Sequence, residues 1–174
     1  MVGMDSRHGN NDSAASPFQI RQAARGDATT IWRFVETSGQ LDRNSYYCYV
    51  VLTELFPTTC LIAQDQAARP VGFVTAVPTR ERPGELFIWQ LYVEPAARGQ
   101  GLGRTLLWAA VTAAGASVVR ATVIPGNQAA SNVFAALARQ MGLPITTVPY
   151  LSPADFPAEE AHPAEDMVII GQAQ

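Results

Sequence analysis

The pattern of apolar and polar residues along the chain predicts strands and helices behind a polar start. Apolar residues alternate with polar ones or form short runs where strands are expected, and recur every three or four residues where helices are expected. The predicted strands span Phe18–Arg21, Thr59–Ala63, Val71–Val77, Leu86–Val93, Val118–Ile124, Ile145–Tyr150 and Met167–Ile170. The predicted helices run from a cap at Asp27 to a stop at Gly39, from Ser45 or Tyr46 to Phe56, from Gly101 to Ala114, and from a cap at Asn127 to a stop at Gly142.

The order of these elements predicts one mixed sheet. Three strands in a row favour an antiparallel meander, whereas a strand, a helix and a strand between residues 86 and 124 favour a parallel pair. We therefore expect an α/β domain, an α+β mixed sheet of about seven mostly antiparallel strands with a central parallel pair, flanked by about four helices. The second helix is almost entirely apolar, so it is expected to be buried.

Length and polarity indicate one folded domain behind a short tail. The chain has 174 residues, the size of a single domain, with 48% apolar and 16% charged residues. Residues Met1–Ser16 are rich in Asn, Ser, Asp and Gly, so they are expected to form a disordered N-terminal tail, and residues 17–174 a single domain. Neither a signal-peptide core nor an apolar span of membrane length occurs, which predicts a cytoplasmic protein.

The charged residues and cysteines exclude several partners and chemistries. Twelve arginines and no lysine stand against 15 acidic residues, so the net charge is -3 without a basic run, and neither nucleic acid nor a membrane is an expected partner. The absence of lysine excludes a Schiff base and a phosphate-binding loop of Walker type. Cys48 and Cys60 lack the spacing of a metal site, so no metal is expected and both are interpreted as buried thiols.

The most informative segment is LYVEPAARGQGLGR, residues 91–104, in which a glycine-rich turn connects a strand to a helix. Gly99, Gly101 and Gly103 let backbone N–H groups converge on an anion at the positive end of the helix dipole, which predicts a phosphate or pyrophosphate site. A dinucleotide fingerprint would need glycine at Arg104, which disfavours a nicotinamide or flavin cofactor. A turn that only tightens the corner between strand and helix is the alternative.

These residues resemble a known superfamily. The run Arg98–Gly103 after the strand WQLYV is similar to Q/R-x-x-G-x-G/A, the acetyl-CoA-binding motif of the GCN5-related N-acetyltransferases, and Asn127 resembles the second conserved block. The similarity extends from about Phe18 to Ile170 and implies the fold of that superfamily. The segments SGQLDRNSYYCYVVL, LFIWQLYVEPAARGQGLGRTLL, ATVIPGNQAASNVF and HPAED further resemble the family of enzymes that acetylate the 4-amino group of L-2,4-diaminobutyrate in ectoine biosynthesis.

The resemblance implies an acetyl-CoA-dependent transferase. Two alternatives stay open: an acetyltransferase for another small amine, and a non-catalytic acyl-CoA-binding domain on the same fold. Acetyl-CoA is the implied cosubstrate, and the residues implied in binding it are Leu91, Val93, Arg98, Gly99, Gln100, Gly101, Leu102, Gly103, Arg104, Asn127 and Ser131. For Asn127, a purely capping role is an equally weighted alternative. Relatives in the implied family also suggest a homodimer.

The resemblance also implies a site for a small diamino acid. The implied substrate-binding residues are Asp42, Asn44, Tyr47, Trp89, His162 and Glu165. Asp42 and Glu165 are expected to bind the ammonium groups and Glu165 to act as the catalytic base, with a solvent-exposed loop carboxylate as the alternative for each. Asn44 could instead cap a helix, and the two aromatic residues could belong to the core. Many superfamily members carry a tyrosine as general acid where this chain has Phe134.

Overall fold

A computed structural model describes residues 16–157, 159 and 161–172, so nearly all of the predicted tail lies outside the described residues. The strands of this part of the chain are β1 Gln19–Gln22, β2 Leu61–Gln64, β3 Pro70–Pro78, β4 Glu85–Val93, β5 Val118–Val123, β6 Ile145–Leu151 and β7 Glu165–Ile170. Its α-helices are α1 Ala28–Ser38, α2 Tyr46–Leu55, α3 Leu102–Ala114 and α4 Gln128–Met141. Each predicted strand and helix is present, and their ends differ from the prediction by at most two residues.

The strands form one sheet in the order β1-β2-β3-β4-β5-β7-β6. Strands β4 and β5 are parallel, and the other neighbouring strands of the described sheet are antiparallel. The parallel pair follows from the crossover through α3, because a helix between two strands returns the chain to the same end of the sheet. The predicted mixed sheet with a central parallel pair is confirmed.

Apolar clusters fill the space between the sheet and the helices on both of its faces. Helices α3 and α4 cover one face, where Leu106, Leu107 and Leu137 are fully buried. Helices α1 and α2 cover the other face, where Ile31 and Tyr49 are fully buried. The sheet therefore lies between two layers of helices, in agreement with the predicted sheet flanked by about four helices.

Helix α2 departs from the prediction that it is buried. Tyr46, Tyr47 and Leu55 are 47%, 72% and 66% exposed, and only three residues of the helix are buried. The helix packs against α1 and the sheet from one side, where Cys48 and Val50 are partly buried, and its period of about 3.6 residues leaves Tyr46, Tyr47 and Leu55 on the exposed side. None of the described helices, α2 included, has the length and apolar character needed to cross a bilayer.

Polar side chains cap the starts of α2 and α4, whereas the polar residue at the start of α1 bonds elsewhere. Ser45 caps α2 and Asn127 caps α4, each accepting a hydrogen bond from an N–H of the first helical turn at 3.3 and 3.0 Å. Asp27 occupies the N-cap position of α1 as predicted, but its side chain makes no hydrogen bond to the helix. Its carboxylate accepts hydrogen bonds from Arg21 at 2.7 and 2.8 Å and from the Ala24 N–H at 2.8 Å. The guanidinium of Arg21 holds the pKa of the Asp27 carboxyl below its usual value.

Candidate active site

Strands β4 and β5 separate near the centre of the sheet. They pair only as far as Ile88 and Ala121, whereas β5 continues along β7 as far as Val123. Beyond Ile88, residues 89–93 of β4 have no described strand on the β5 side. We call this opening between β4 and β5 the gap. It leaves an unpaired strand edge in the middle of the sheet.

The peptide groups of Leu91 and Val93 face the gap. The N–H of Glu94 donates to the carbonyl of Val71 at 2.9 Å, so Glu94 and Val71 form a hydrogen-bonded pair at the end of the β3–β4 ladder. Hydrogen-bonded and non-bonded pairs alternate along an antiparallel ladder. Val93 and Leu91 precede Glu94 by one and three residues, so both belong to non-bonded pairs, and their N–H and C=O groups point away from β3. An extended chain with its own amides can pair with them as an added strand. The Val93 carbonyl also accepts a hydrogen bond from Arg98 Nε at 2.9 Å.

The glycine-rich turn follows β4 and leads into α3. Gly99 and Gly101 both have a φ of 77°, a left-handed conformation that other residues adopt only with strain. Gly101 is the N-cap of α3, and the first turn of this helix carries no acidic residue. The free N–H groups of the turn and the helix dipole therefore favour an anion. Arg98, Gln100 and Arg104 are exposed in the same segment.

Gly103 is needed for a different reason, which is close packing. A Cβ at this position would lie 3.3 Å from Val133 Cγ2, 3.6 Å from Leu91 Cδ2 and 3.8 Å from Val93 Cγ2. The missing side chain therefore lets α3 approach both β4 and α4. Leu102 is buried in the same cluster and anchors the start of α3 in the core.

A cavity of about 170 Å³ lies where β5 ends and α4 begins. Ser131 and Phe134 of α4 line it together with Thr147 and Asp166. Phe134 is buried and brings no ionisable group to the cavity. The Ser131 hydroxyl donates to the carbonyl of Asn127 at 3.0 Å, so both residues stabilise the start of α4. Contact of either residue with a bound molecule stays a prediction.

Three ionisable side chains from distant parts of the chain meet beside β4. His162 Nε2 lies 3.3 Å from Asp42 Oδ1 and 3.6 Å from Glu165 Oε1. Asp42 belongs to the α1–α2 loop, residues 39–45, and its side chain is 67% exposed, whereas those of His162 and Glu165 are only 17% and 12% exposed. One potential ligand atom from each of the three side chains lies within 4.8 Å of the other two, and this spacing would also accept a metal ion. The expected absence of a metal therefore stays a prediction.

The ring of His162 is held from two sides. Its Nδ1 donates to the Pro163 carbonyl at 2.8 Å, and Phe156 stacks on the ring with centroids 4.1 Å apart. The hydrogen bond to Pro163, and then Asp42 and Glu165, raise the pKa of His162 against the opposing effect of burial. Because Nδ1 is engaged with a carbonyl, Nε2 is the nitrogen that gains or loses a proton beside the two carboxylates.

A ring of hydrogen bonds that the sequence did not predict holds the backbone of Asp42. Its carbonyl accepts from Gln90 Nε2 at 2.8 Å and from Asn44 Nδ2 at 3.3 Å. The Tyr49 hydroxyl donates to Gln90 Oε1 at 3.1 Å and accepts from Asn44 Nδ2 at 3.4 Å. Asn44 thus uses its amide N–H groups inside the protein, and Ser45 takes the capping position. A glutamine between apolar residues of a strand was the available signal, since a buried polar side chain needs partners.

Tyr47 and Trp89 are less closely connected to the cluster of Asp42, His162 and Glu165. Tyr47 lies exposed on α2 and is not brought into that cluster. Trp89 is 45% exposed, and its ring meets that of Phe87 edge-on at 6.4 Å. The β3–β4 register shifts opposite it, so Trp89 is the extra residue of a β-bulge. Its exposure argues against the alternative that it is an ordinary core residue.

Comparison with known proteins agrees with this geometry. The model of the acetyltransferase (GNAT) family matches residues 22–138, which include the gap, the glycine-rich turn and most of α4. The chain belongs to this family, and it is an acyl-CoA-dependent N-acetyltransferase with the fold that the family shares.

Named relatives identify a narrower family. Identity is 37% to L-2,4-diaminobutyric acid acetyltransferase of Nocardia farcinica, over 87% of this chain and 78% of that protein. It is 35% to the protein of the same name from Chromohalobacter salexigens, over 91% and 83%. Diaminobutyrate acetyltransferase EctA from Paenibacillus lautus, solved in complex with its substrate L-2,4-diaminobutyric acid and coenzyme A, is 31% identical with a TM-score of 0.83, over 90% of this chain and 95% of that one. The chain belongs to the family of L-2,4-diaminobutyric acid acetyltransferases.

Proposed function

We propose that the protein transfers the acetyl group of acetyl-CoA to the 4-amino group of L-2,4-diaminobutyrate, giving N4-acetyl-L-2,4-diaminobutyrate for ectoine biosynthesis. The observation that carries this proposal is a pair of carboxylates around His162, beside a strand whose free edge leads into an anion-binding turn. The solved relative EctA binds diaminobutyric acid and coenzyme A, the two molecules that these features suit. A diamino acid needs such carboxylates because both of its amino groups are cationic at neutral pH.

The edge of β4 and the turn after it would hold acetyl-CoA, which supplies the acetyl group as a thioester. The peptide groups of Leu91 and Val93 can pair with the amides of the pantetheine arm. The N–H groups at the start of α3 suit the pyrophosphate, and Arg104 adds positive charge nearby. Arg98 would act partly by tying the turn to the end of β4, since its Nε already donates to the Val93 carbonyl.

Asp42 and Glu165 would bind the ammonium groups of the substrate. Both carboxylates lie close to His162 Nε2, at 3.3 and 3.6 Å, and contact it when it is protonated. An ammonium group of the substrate bound between the two carboxylates would take over these contacts. Asn44 would act indirectly, because its amide is engaged with the Asp42 carbonyl. Tyr47 would contribute at the rim of the site only, because its side chain is exposed on α2.

Glu165 is the proposed catalytic base, with His162 orienting its carboxylate. The attacking 4-amino group must be neutral, whereas an isolated aliphatic ammonium titrates near ~10.4. Repulsion between the two cations of the substrate and partial burial lower that pKa, so Glu165 or a water bound to it can take the proton. The amine then attacks the thioester carbon directly, and a C–N bond forms as the C–S bond breaks; the second proton that the nitrogen loses passes to the departing thiolate.

The departing thiol needs no tyrosine in this proposal. By the resemblance to the superfamily, Phe134 stands where many members carry a tyrosine, and a thiol with a pKa near ~8.5 can leave as the thiolate with hydrogen bonds alone. Ser131 and Asn127, at the start of α4, are proposed to contact the pantetheine end of the cosubstrate. Trp89, exposed at the bulge of β4, is proposed as an apolar wall that keeps water away from the reacting groups.

Incubation with acetyl-CoA and L-2,4-diaminobutyrate tests the proposal, with the product identified by NMR. We expect acetylation of the 4-amino group. Asp42→Asn and Glu165→Gln should each cost ~2 to 4 kcal/mol in kcat/KM, because each removes a charged contact to an ammonium group, with the affinity for CoA unchanged. Asp65→Asn is the matched control, because that carboxylate is bound to Arg69 instead. Acetylation at the 2-amino group, or full activity of both variants, would contradict the proposed roles.

We also propose that two copies of the chain associate through β6. This strand lies at one edge of the described sheet, opposite β1, and every residue of it except the last is exposed. Ile145, Val148 and Tyr150 add apolar surface to that open edge, and a two-fold axis would cover two such edges at once. Sedimentation should therefore give twice the chain mass of 18.7 kDa, and Val148→Lys should favour single chains. A wild-type mass of one chain would contradict the dimer.

A further inference from the structure

The ring of hydrogen bonds at Asp42 connects the two halves of the proposed site. Gln90 belongs to β4 and directly precedes Leu91, whose peptide group faces the gap. Its Nε2 donates to the carbonyl of Asp42 in the α1–α2 loop at 2.8 Å. One side chain therefore joins the strand proposed to hold the thioester to the loop proposed to hold the diamine.

The orientation of the Gln90 amide is fixed by its neighbours. Nε2 must face the Asp42 carbonyl, because a carbonyl oxygen only accepts hydrogen bonds. Oε1 is then the acceptor for the Tyr49 hydroxyl at 3.1 Å. Burial raises the pKa of Tyr49, so its hydroxyl keeps the proton that it donates. Both side chains are buried, so bulk water does not compete for this bond.

The Asp42 carboxylate depends on this support because it has little of its own. Its side chain is exposed, and its polar contact within the described residues is the one to His162 at 3.3 Å. The preceding residue, Leu41, is held to the end of α1 by the Ser38 hydroxyl at 3.2 Å. The carbonyl of Asp42 itself is held by Gln90 and Asn44. The shorter of these two bonds is the one that reaches β4.

We propose that Gln90 is a positioning residue: it sets the distance between the α-ammonium group of the substrate, anchored at Asp42, and the thioester held along β4, and thereby the position of the attacking 4-amino group. This inference rests on the proposed function. Small displacements of a nucleophile cost large factors in rate, so a tether from the same strand leaves the loop little freedom to drift. Gln90 should therefore affect the use of diaminobutyrate and leave the affinity for CoA unchanged.

Gln90→Met tests the proposal, because methionine keeps the side-chain length and removes both hydrogen bonds. We expect kcat/KM for diaminobutyrate to fall and its KM to rise about 10-fold, the order expected when buried hydrogen bonds are lost, with an unchanged CoA dissociation constant in calorimetry. Thr75→Val is the matched control. Thr75 pairs with Gln90 across β3 and β4, is fully buried, and its hydroxyl has no partner among the described residues. Its kinetic constants should match those of the wild type.

Two further variants separate positioning from a general loss of structure. Tyr49→Phe removes only the donor to Gln90 Oε1 and should shift the same constants in the same direction by a smaller factor. In an Asp42→Asn background, Gln90→Met should cost at most about 2-fold more, because the carboxylate that it positions is already absent.

Full additivity of Asp42→Asn and Gln90→Met would overturn the proposal, as would a Gln90→Met enzyme that behaves like Thr75→Val. A loss of CoA affinity in Gln90→Met would also overturn it, since the residue would then support β4 itself. A wild-type protein without activity on diaminobutyrate would instead refute the proposed function, and this inference with it.

Discussion

The charge of the candidate active site depends on His162. Its Nε2 lies 3.3 Å from Asp42 and 3.6 Å from Glu165, while Nδ1 is bound to the carbonyl of Pro163. Its raised pKa means that the folded protein binds this proton more tightly than the unfolded chain does. The resulting contribution to stability is fully present below the ordinary histidine pKa of ~6.5 and is lost as the pH rises through the higher pKa of the folded state.

Asp42→Asn should therefore lower the pKa of His162, because it removes a carboxylate that stabilises the imidazolium. An NMR titration of the histidine ring protons would measure this change. The variant should also be destabilised more near pH ~6 than near pH ~8, which urea unfolding at both pH values would measure. Asp65→Asn is a suitable control, because the backbone and side-chain N–H groups of Arg69 lower the Asp65 pKa. The contribution of Asp65 to stability is therefore lost only at acid pH, and its removal should cost the same at pH ~6 and pH ~8. An unchanged His162 pKa in Asp42→Asn would show that the contact is absent in solution.

Among the elements, the turn from β4 into α3 uses its glycines in two ways. A Cβ at Gly101 would have open space around it, with Arg104 Nη2 the nearest atom at 3.9 Å, but the φ of 77° strains any other residue. A Cβ at Gly103 would instead lie 3.3 Å from Val133 Cγ2. One glycine therefore serves the backbone conformation of the turn, and the other serves the packing of α3.

Substitution by alanine should separate these two effects. Gly101→Ala should weaken CoA binding, because a left-handed alanine costs ~1 to 2 kcal/mol and relieving that strain would rotate the anion-binding N–H groups. Gly103→Ala should instead lower the free energy of unfolding by ~1 to 3 kcal/mol through overpacking. Calorimetry with CoA and denaturant unfolding would measure both quantities. Gly115→Ala is the control for left-handed strain, since Gly115 has a φ of 61° in open space at the far end of α3. Equal CoA affinity in the variants of Gly101 and Gly115 would contradict the anion site.

The elements were largely predictable from the sequence because each depends mainly on residues close by in the chain. The spacing of apolar residues in α3 and the caps of α2 and α4 are signals of this local kind. The exposure of α2 was not predictable, because its apolar sequence does not show that only one side of the helix is covered. The partner of Asp27 was missed for a similar reason, since Arg21 reaches it from β1.

In the whole molecule, the candidate site forms where the α1–α2 loop, β4 and the start of β7 converge. Resemblance to known enzymes indicated Asp42, His162 and Glu165, but the distances between them depend on the order of the sheet, in which β7 lies between β5 and β6. Gln90 could not be assigned from the sequence, because nothing local connects a strand glutamine to a carbonyl 48 residues away. Long-range pairing of this kind becomes visible only once the strands are assembled.

This assembly fixes the space available to the substrate between the Asp42 carboxylate and the edge of β4, so it predicts discrimination among diamino acids by length. Ornithine has one methylene more than L-2,4-diaminobutyrate, and lysine has two more. With the α-ammonium group anchored, their distal amines would lie past the thioester carbon. Because a misplacement of about 1 Å can cost ~100-fold in rate, kcat/KM for lysine should be at least ~100-fold lower than for diaminobutyrate, with ornithine between them.

Rates of thiol release from acetyl-CoA with the three amines would measure this selectivity, and mass spectrometry of the products would verify acetylation. The Gln90→Met enzyme provides an internal comparison, because a loop freed from β4 should admit longer chains and reduce the ratio between diaminobutyrate and lysine. If the wild type acetylates lysine as efficiently as diaminobutyrate, the spacing between the loop and β4 does not determine the substrate. The alternative of an acetyltransferase with broad specificity for small amines would then be the better description of this site.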